Sequence, residues 1–489
     1  MPADLVPLPL RIGGAPVATP RWRDVFAPWD GRVVARVAVA GPAEAEAALA
    51  AAAAAAPAMA AMPAHARAAV LSRAAAALAQ RADAFVATIR DEGGKPVRYA
   101  RGEVDRAVRT LAACAEEATR LHGEAPALDS APAGERRFAV VRRHPLGVVV
   151  AITPFNFPLN LAVHKVGPAL AAGNAVVWKP SEKVPATALA FAALLDEVGL
   201  PPGAVNTVVG DDPSLGGVLV EDARPAAVSF TGSPVVGWAL RARAGRKRVT
   251  LELGGNAAVV VDRSADLDDA AVRVCDGAFA HAGQVCISVQ RVFVHRDVFE
   301  PFRARLLERV RRHAVAGDPS DPATVVGPMI TAEAADRVEA WVGAAEARGA
   351  RVTRAGVRRG NVLPAMVVEG APLDSDVHRR EVFGPVLTLD AVASFDEGLA
   401  RADDTEFGLQ AAVFTADLDA ALEAEQRLTV GAVIVNDAPT FRVDTMPYGG
   451  ERASGLGREG VAHAVRDFTR ERLLVVRRAA TRAGEAGAR

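Results

Sequence analysis

Cysteine is scarce in this chain. Cys114, Cys275 and Cys286 are the only three in 489 residues. They are too few for a disulfide framework, and their spacing matches no zinc pattern. No metal centre is expected, and a reducing, cytoplasmic compartment is. Excess charge of one sign is also lacking: 57 basic residues face 58 acidic ones, for a net charge of −1. Such a balance leaves no electrostatic footprint for nucleic acid or an acidic membrane surface. The pairs Arg311-Arg312, Arg358-Arg359 and Arg379-Arg380 read as solvated faces. No basic stretch followed by an apolar run opens the chain, so no secretory signal is expected. The alanine-rich run 43–61 contains Glu44, Glu46 and Pro57, and reads as a soluble helix, not a membrane span.

What the chain has is apolar residue in quantity, 51% of the total, and more length than one compact domain uses. Gly41-Pro42 sets a proline at a helix start, and the alanines that follow favour helix. Helical patterns continue over about 64–90 and 97–122. The segment 123–145 breaks them with Pro and Gly and reads as a loop or hairpin excursion. From Leu146 onward the texture changes. Short Val-rich runs ("GVVVAI", "AVVW", "AVNTVV", "AAVSF") alternate with amphipathic segments such as 185–198 and 214–221. A second series, "AAVVV", "RVFVH" and "AAVFT", is separated by helices near 267–280 and 298–314. Strands alternating with helices imply βαβ units, so the expected fold class is α/β with two parallel-sheet domains meeting near "LELGGN", 251–256. The hexapeptide "GLGREG", 455–460, matches G-x-G-x-x-G but follows a polar, turn-rich stretch. It is not read as a dinucleotide turn, which would follow a strand and open a helix.

Cys286 lies in "HAGQVCISVQR", after the helix expected at 267–280 and before the strand "RVFVH". Gly283 allows close approach of backbone to a ligand, and loops held by rigid elements concentrate chemistry. Glu252, at the junction of the two domains, supplies an acid upstream. A buried structural thiol remains the other reading of this residue on local features alone.

"LELGGN" followed by "GQVCISVQRVFV" resembles the NAD(P)-dependent aldehyde dehydrogenase superfamily. So do, in chain order, "TPFNFPLN" (153–160), "WKPSE" (178–182), "FTGSPVVG" (230–237), "EVFGPVL" (381–387) and "MPYGGERASGLGRE" (446–459). The similarity covers nearly the whole chain and is nearest to the lactaldehyde and phosphonoacetaldehyde branch. The resemblance implies a Rossmann-like NAD-binding domain from 1–122 and 146–253, and a catalytic domain from 254–453. It also implies a small β oligomerisation element from 123–145 with 454–489, giving a homodimer or homotetramer. The tail 478–489 is expected to be disordered.

The same resemblance assigns roles. Cys286 is the nucleophile that forms a thiohemiacetal, which loses hydride to the nicotinamide and becomes a thioester. Glu252 is the base that activates water against that thioester. Asn156 donates to the oxyanion, together with the Cys286 backbone N–H. Cofactor contacts fall to Ile152, Thr153, Pro154, Phe155, Lys179, Ser181, Glu182, Gly210, Phe230, Thr231, Gly232, Ser233, Leu253, Gly254, Glu381 and Phe383. A carboxylate at Glu182 accepts from ribose hydroxyls and repels a 2′-phosphate, favouring NAD over NADP. Gly232 and Ser233 open a helix suited to a pyrophosphate. Glu459 matches either a proton relay or a structural ion pair.

The substrate-binding residues expected are Arg106, Phe157, Asn160, His164, Arg442 and Tyr448. Asn160 and His164 follow Asn156 at helical spacing, on one face. Two arginines and a histidine then converge near Cys286, and guanidinium groups suit anions. The expected substrate is a short aldehyde with an anionic or polar tail: phosphono-, sulfo-, carboxy- or hydroxy-. The alternative is that Arg106 and Arg442 pair with Glu103, Asp105 or Asp444, and that His164 is a core histidine. Other readings left open are acyl transfer to coenzyme A, a semialdehyde dehydrogenase of amino-acid catabolism, and a catalytically inactive binding protein of the same fold.

Overall fold

The structure is a computed structural model, and it describes residues 6–210, 212 and 214–478. The expectation for the tail falls, beyond Arg478, outside the described residues. Two short strands, β1 (Leu10–Ile12) and β2 (Ala15–Val17), and a hairpin of β3 (Trp22–Phe26) and β4 (Val33–Ala38) precede four helices. These are α1 (Pro42–Ala61), α2 (Ala64–Gln80), α3 (Ala82–Gly93) and α4 (Val97–Arg120). The single helical run expected over 64–90 is thus two helices, hinged at Arg81. In α1 the buried positions Ala45, Ala48, Leu49, Ala52 and Ala55 recur at helical spacing and face the core. Among the described residues no single helix is long and apolar enough to cross a membrane.

The segment 123–145 ends in β5 (Arg137–Pro145). The chain then runs β6 (Val148–Ile152), α5 (Asn160–Ala172), β7 (Ala175–Lys179), α6 (Pro185–Glu197), β8 (Val205–Thr207), α7 (Ser214–Glu221), β9 (Pro225–Thr231), α8 (Pro234–Arg243) and β10 (Arg248–Glu252). The second domain contributes β11 (Ala257–Val261), α9 (Leu267–Phe279), β12 (Val289–His295), β13 (Arg351–Arg354), β14 (Met366–Glu369), β15 (Val386–Val392), β16 (Phe407–Gly408), β17 (Gln410–Phe414) and β18 (Ala432–Val435). The last strands are β19 (Glu451–Arg452), β20 (Gly455–Leu456) and β21 (Thr469–Arg477).

The first sheet has the order β2-β1-β8-β7-β6-β9-β10-β20, and its strands β8, β7, β6, β9 and β10 are parallel. Side chains alternate between its faces. Val149, Ala151, Val176 and Trp178 join the core made with α2, α4, α5 and α6. Val148, Val150, Ile152 and Val177 join the core made with α1 and α7. Helices therefore cover both faces, as parallel strands require. The chain steps from β6 to β7 and β8 on one side and to β9 and β10 on the other. The crevice outside the strand ends at that reversal is where open α/β sheets bind ligands. The second sheet has the order β13-β14-β15-β12-β11-β17-β18, with all strands parallel except β13, which runs antiparallel to β14.

The stretch after residue 453 is shared between two parts of the molecule. Gly455–Leu456 pairs antiparallel with β10, through Leu456 to Leu251 and Gly455 to Glu252, so "GLGREG" opens as an edge strand and not a phosphate turn. The helix Val461–Asp467 packs on α5 and α4. Of the described residues in this stretch, β21 alone pairs with β5, over nine residue pairs from Thr469–Pro145 to Arg477–Arg137.

Candidate active site

Cys286 reaches the site through a tight turn. His281 and Ala282, neither a glycine, hold positive φ of 51° and 56°, and Gly283 follows at 66°. Such a run of left-handed residues is strained and persists only where its surroundings hold it. A Cβ at Gly283 would collide with the Gly384 carbonyl, and one at Gly255 with the Cys286 carbonyl. Glycine is therefore required on both sides of the cysteine loop. Gln284 ties that loop down. Its side chain donates to the Pro328 carbonyl at 3.2 Å and accepts from the Ile330 N–H at 2.9 Å. Its own carbonyl accepts from Asn156 Nδ2 at 2.9 Å.

Cys286 faces a cavity of about 140 Å³ lined by Arg106, Asn156, Phe157, Asn160, Glu252, Arg442 and Tyr448, among others. Its Sγ lies 3.1 Å from the Tyr448 hydroxyl. Burial pushes the Cys286 thiol up to about 11, partly offset by the Tyr448 hydrogen bond. Glu252 ends β10, is 3% exposed, and neither carboxyl oxygen has a hydrogen-bond partner. Burial first, and the negative charge of Glu459 second, raise its carboxyl well above the ordinary range. Glu459 and Tyr448 are brought there by β20 and by the antiparallel bridge between them. Glu459 itself pairs with the buried Lys165 at 2.5 Å. Burial opposes its ionisation, yet the positive charges of Lys165 and Arg442 hold the carboxyl below its usual range. Of the two readings of Glu459, an ion pair is formed.

The arginines differ. Arg106 pairs with Asp444, its Nη2 at 2.7 Å and its Nε at 3.2 Å. Asp444 also accepts from Asn160 Nδ2 at 3.1 Å and meets His164 Nε2 at 2.9 Å. His164 is a correction to the sequence reading. It is a core histidine behind Asp444, it does not line the cavity, and burial and Arg442 lower its pKa. Asn156 likewise precedes α5 instead of sharing its face, and occupies the bend before Asn160. Arg442 has a 7% exposed side chain, lies 3.7 Å over the Tyr448 ring, and leaves Nε and Nη2 without a hydrogen bond, Nη2 lying 3.6 Å from Glu459 Oε2.

The residues expected at the cofactor gather at the strand-end crevice. Ile152 ends β6 and Lys179 ends β7. Phe230 and Thr231 end β9, and Ser233 caps α8. Thr153 accepts from Trp178 Nε1 at 2.9 Å, which fixes the turn toward Pro154 and Phe155. Ser181 and Glu182 follow β7, Gly210 follows β8, and Leu253 and Gly254 follow β10. Glu381 arrives from the second domain and accepts from the Gly255 N–H at 3.0 Å, and burial raises its carboxyl to about 7. Phe383 stands edge-on to Phe155 at 5.9 Å. Thr231 Oγ1 is buried without a partner where the crevice meets the cavity. Val235 on α8 is 83% exposed, an apolar surface beside that helix start. An unpartnered hydroxyl, the helix N-terminus at Ser233 and the exposed Val235 together fit a dinucleotide.

Sequence reasoning missed the supports. Lys95 and Glu103 form a buried ion pair, and Glu103 Oε1 accepts from the Leu159 and Asn160 N–H groups at 2.9 and 3.1 Å. Glu103 sits among Ala100, Val104 and Ala107 on the buried stripe of α4. A charge on an apolar stripe was the available signal, as was Lys165 within the wholly buried α5.

A doubly wound domain whose strand ends open onto a cysteine-bearing cavity in a second α/β domain defines a two-domain dehydrogenase architecture. Residues 17–474 match the aldehyde dehydrogenase family, and the chain belongs to it. It is 45% identical over 392 residues to 3-sulfolactaldehyde dehydrogenase of Priestia aryabhattai, covering 80% of this chain and 82% of the relative. Its fold is similar to aldehyde dehydrogenase 21 from Physcomitrella patens in complex with the reaction product succinate, with TM-score 0.95, 37% identity, and 98% and 100% of the two chains covered. It is also similar to the NADP-dependent glyceraldehyde-3-phosphate dehydrogenase from Bacillus halodurans complexed with NADP, with TM-score 0.93, 32% identity and 97% and 100% covered.

Proposed function

We propose that this enzyme oxidises a short aldehyde with an anionic or strongly polar tail to its acid, using NAD or NADP. The observation that carries the reading is Arg442, a buried guanidinium that lines the cavity holding Cys286 and whose Nε and Nη2 make no hydrogen bond. The thiolate of Cys286 adds to the aldehyde carbon. The developing oxyanion takes hydrogen bonds from Asn156, swung from Gln284, and from the Cys286 N–H. The bound dinucleotide supplies the hydride acceptor. Glu252 then takes a proton from the water that attacks the Cys286 thioester, a task suited to a carboxyl of raised pKa. Thr231, Ser233, Glu182 and Glu381 would hold the dinucleotide, and the carboxylate of Glu182 favours NAD. A hydrolytic base at Glu252 argues against transfer to coenzyme A. A carboxylate-tailed semialdehyde is supported as a second reading by the succinate-bound relative. The oligomer is proposed to form through the β5–β21 ribbon.

Arg442→Leu tests the substrate class. The expected result is a loss of kcat/KM of about tenfold or more for anionic aldehydes, with much less change for neutral ones of equal length. Equal losses in both classes overturn the reading.

A further inference from the structure

Asp444 governs how much positive charge a substrate meets. The charged groups packed around the cavity sort into pairs. Arg106, from α4, is matched by Asp444 at 2.7 Å. Lys165, from α5, is matched by Glu459 at 2.5 Å. Lys95, whose ammonium lies 3.6 Å over the Phe157 ring, is matched by Glu103. His164, buried and under the field of Arg442, is held neutral, so its Nε2–H donates to Asp444. Cys286 and Tyr448 stand as thiol and phenol.

Arg458, which acts on Glu252, is matched by Glu451, and Glu381, which acts on Cys286 from outside the cavity lining, has its carboxyl raised to about 7 by burial. Two groups that line the cavity are left over. Glu252 has no partner, and burial favours its protonated form. Arg442 is the one cation whose carboxylate is shared. Its nearest acidic oxygen, on Glu459, is 3.6 Å away, and Glu459 already bonds Lys165. The cavity thus holds one surplus positive charge with Glu252 protonated, and none with Glu252 ionised.

We propose that the cavity is matched to a single negative charge: it takes aldehydes ending in a sulfonate or carboxylate, discriminates against a dianionic phosphonate, and owes that limit to Asp444. The proposal rests on the anionic-aldehyde reading and narrows it. A monoanion pairs with Arg442. It also finds a donor in Arg106 Nη1, since Asp444 engages only Nε and Nη2 of that side chain. Among the described residues a second charge would meet no free cation lining the cavity and would lie against Asp444, and unpaired like charges in a partly buried site are strongly disfavoured.

The test compares sulfonate-, carboxylate- and phosphonate-tailed aldehydes of equal chain length at about pH 8.5 and about pH 6, spanning the second phosphonate ionisation, which lies above the value of about 6 for phosphate esters because carbon withdraws less charge than ester oxygen. Dividing kcat/KM for the sulfonate by that for the phosphonate cancels those titrations of the enzyme that act on both substrates alike, and ionisation of Glu252 at the higher pH disfavours the dianion further, in the same direction. The ratio is expected to be about ten or more at the higher pH and to fall severalfold at the lower, where more of the phosphonate carries one charge. Asp444→Asn should lower the ratio at the higher pH, because Arg106 is then unmatched. A ratio near one at both pH values, or a phosphonate preference at the higher, overturns the proposal. If anionic aldehydes react no better than neutral ones, the anionic-aldehyde reading fails and this proposal with it. Should Asp444→Asn not fold, the pH series on the unaltered enzyme decides.

Discussion

A carboxyl buried without a hydrogen-bond partner resists ionisation, and Glu252 is such a group. Its chemistry depends on that isolation, and it can be separated from the chemistry of Cys286. Glu252→Gln should still form the thioester but not release it. Rapid mixing with saturating aldehyde and cofactor is expected to give one burst of reduced cofactor per active subunit, with steady-state turnover down by about 10²–10⁴-fold. A slow phase lost in proportion to the burst would refute the assignment. The thiol of Cys286, raised to about 11, is an acid whose ionisation is deferred to alkaline pH. The thiolate fraction therefore grows as pH rises, and kcat/KM should climb across the alkaline range. Tyr448 lowers that thiol by hydrogen bonding, so Tyr448→Phe should shift the rise to higher pH. An unshifted pH–rate profile would reject the role of the phenol.

Helix starts are where this molecule positions its groups. The N-terminus of α5 would otherwise present unsatisfied N–H groups. Glu103 satisfies those of Leu159 and Asn160 from another helix, and Lys95 offsets its charge. Removing one member of a buried pair leaves the other uncompensated, which costs about 3–5 kcal/mol. Glu103→Leu should therefore lower the urea midpoint markedly, and adding Lys95→Met should restore part of the loss. A Glu103→Leu protein as stable as the parent would contradict this account. Elements of this kind were partly legible in sequence. The Val-rich strands and amphipathic helices were readable because their periods of two and 3.6 residues need only local information. The break at Arg81 between α2 and α3 was not, since both segments carry the same alanine-rich pattern.

At the scale of the whole molecule, the β5–β21 ribbon carries exposed apolar side chains. Leu473, Leu474, Val475 and Val476 are 44–54% exposed, and Phe138 is 54% exposed. Unpaired edges and apolar faces of this sort invite pairing with another chain. Leu474→Asp with Val476→Asp should convert the proposed oligomer to monomers in sedimentation velocity, with the monomer fold retained by circular dichroism. An unchanged sedimentation coefficient would rule out this ribbon as the contact.

The sequence alone determined the class of fold and the family, and it singled out Cys286, Glu252 and Asn156, which the fold brings to one cavity. Strand and helix periodicity is local, and the motifs around these residues are contiguous stretches of chain. Tertiary structure decided which charges survive in the cavity. Arg106 and Asp444 are 338 residues apart, and Lys165 and Glu459 are 294 apart. Whether an arginine meets a substrate or a neighbouring carboxylate depends on such distant pairings. His164 went to the core and Arg442 to the cavity for that reason: ion pairing acts through space over a few ångströms, and folding sets those distances.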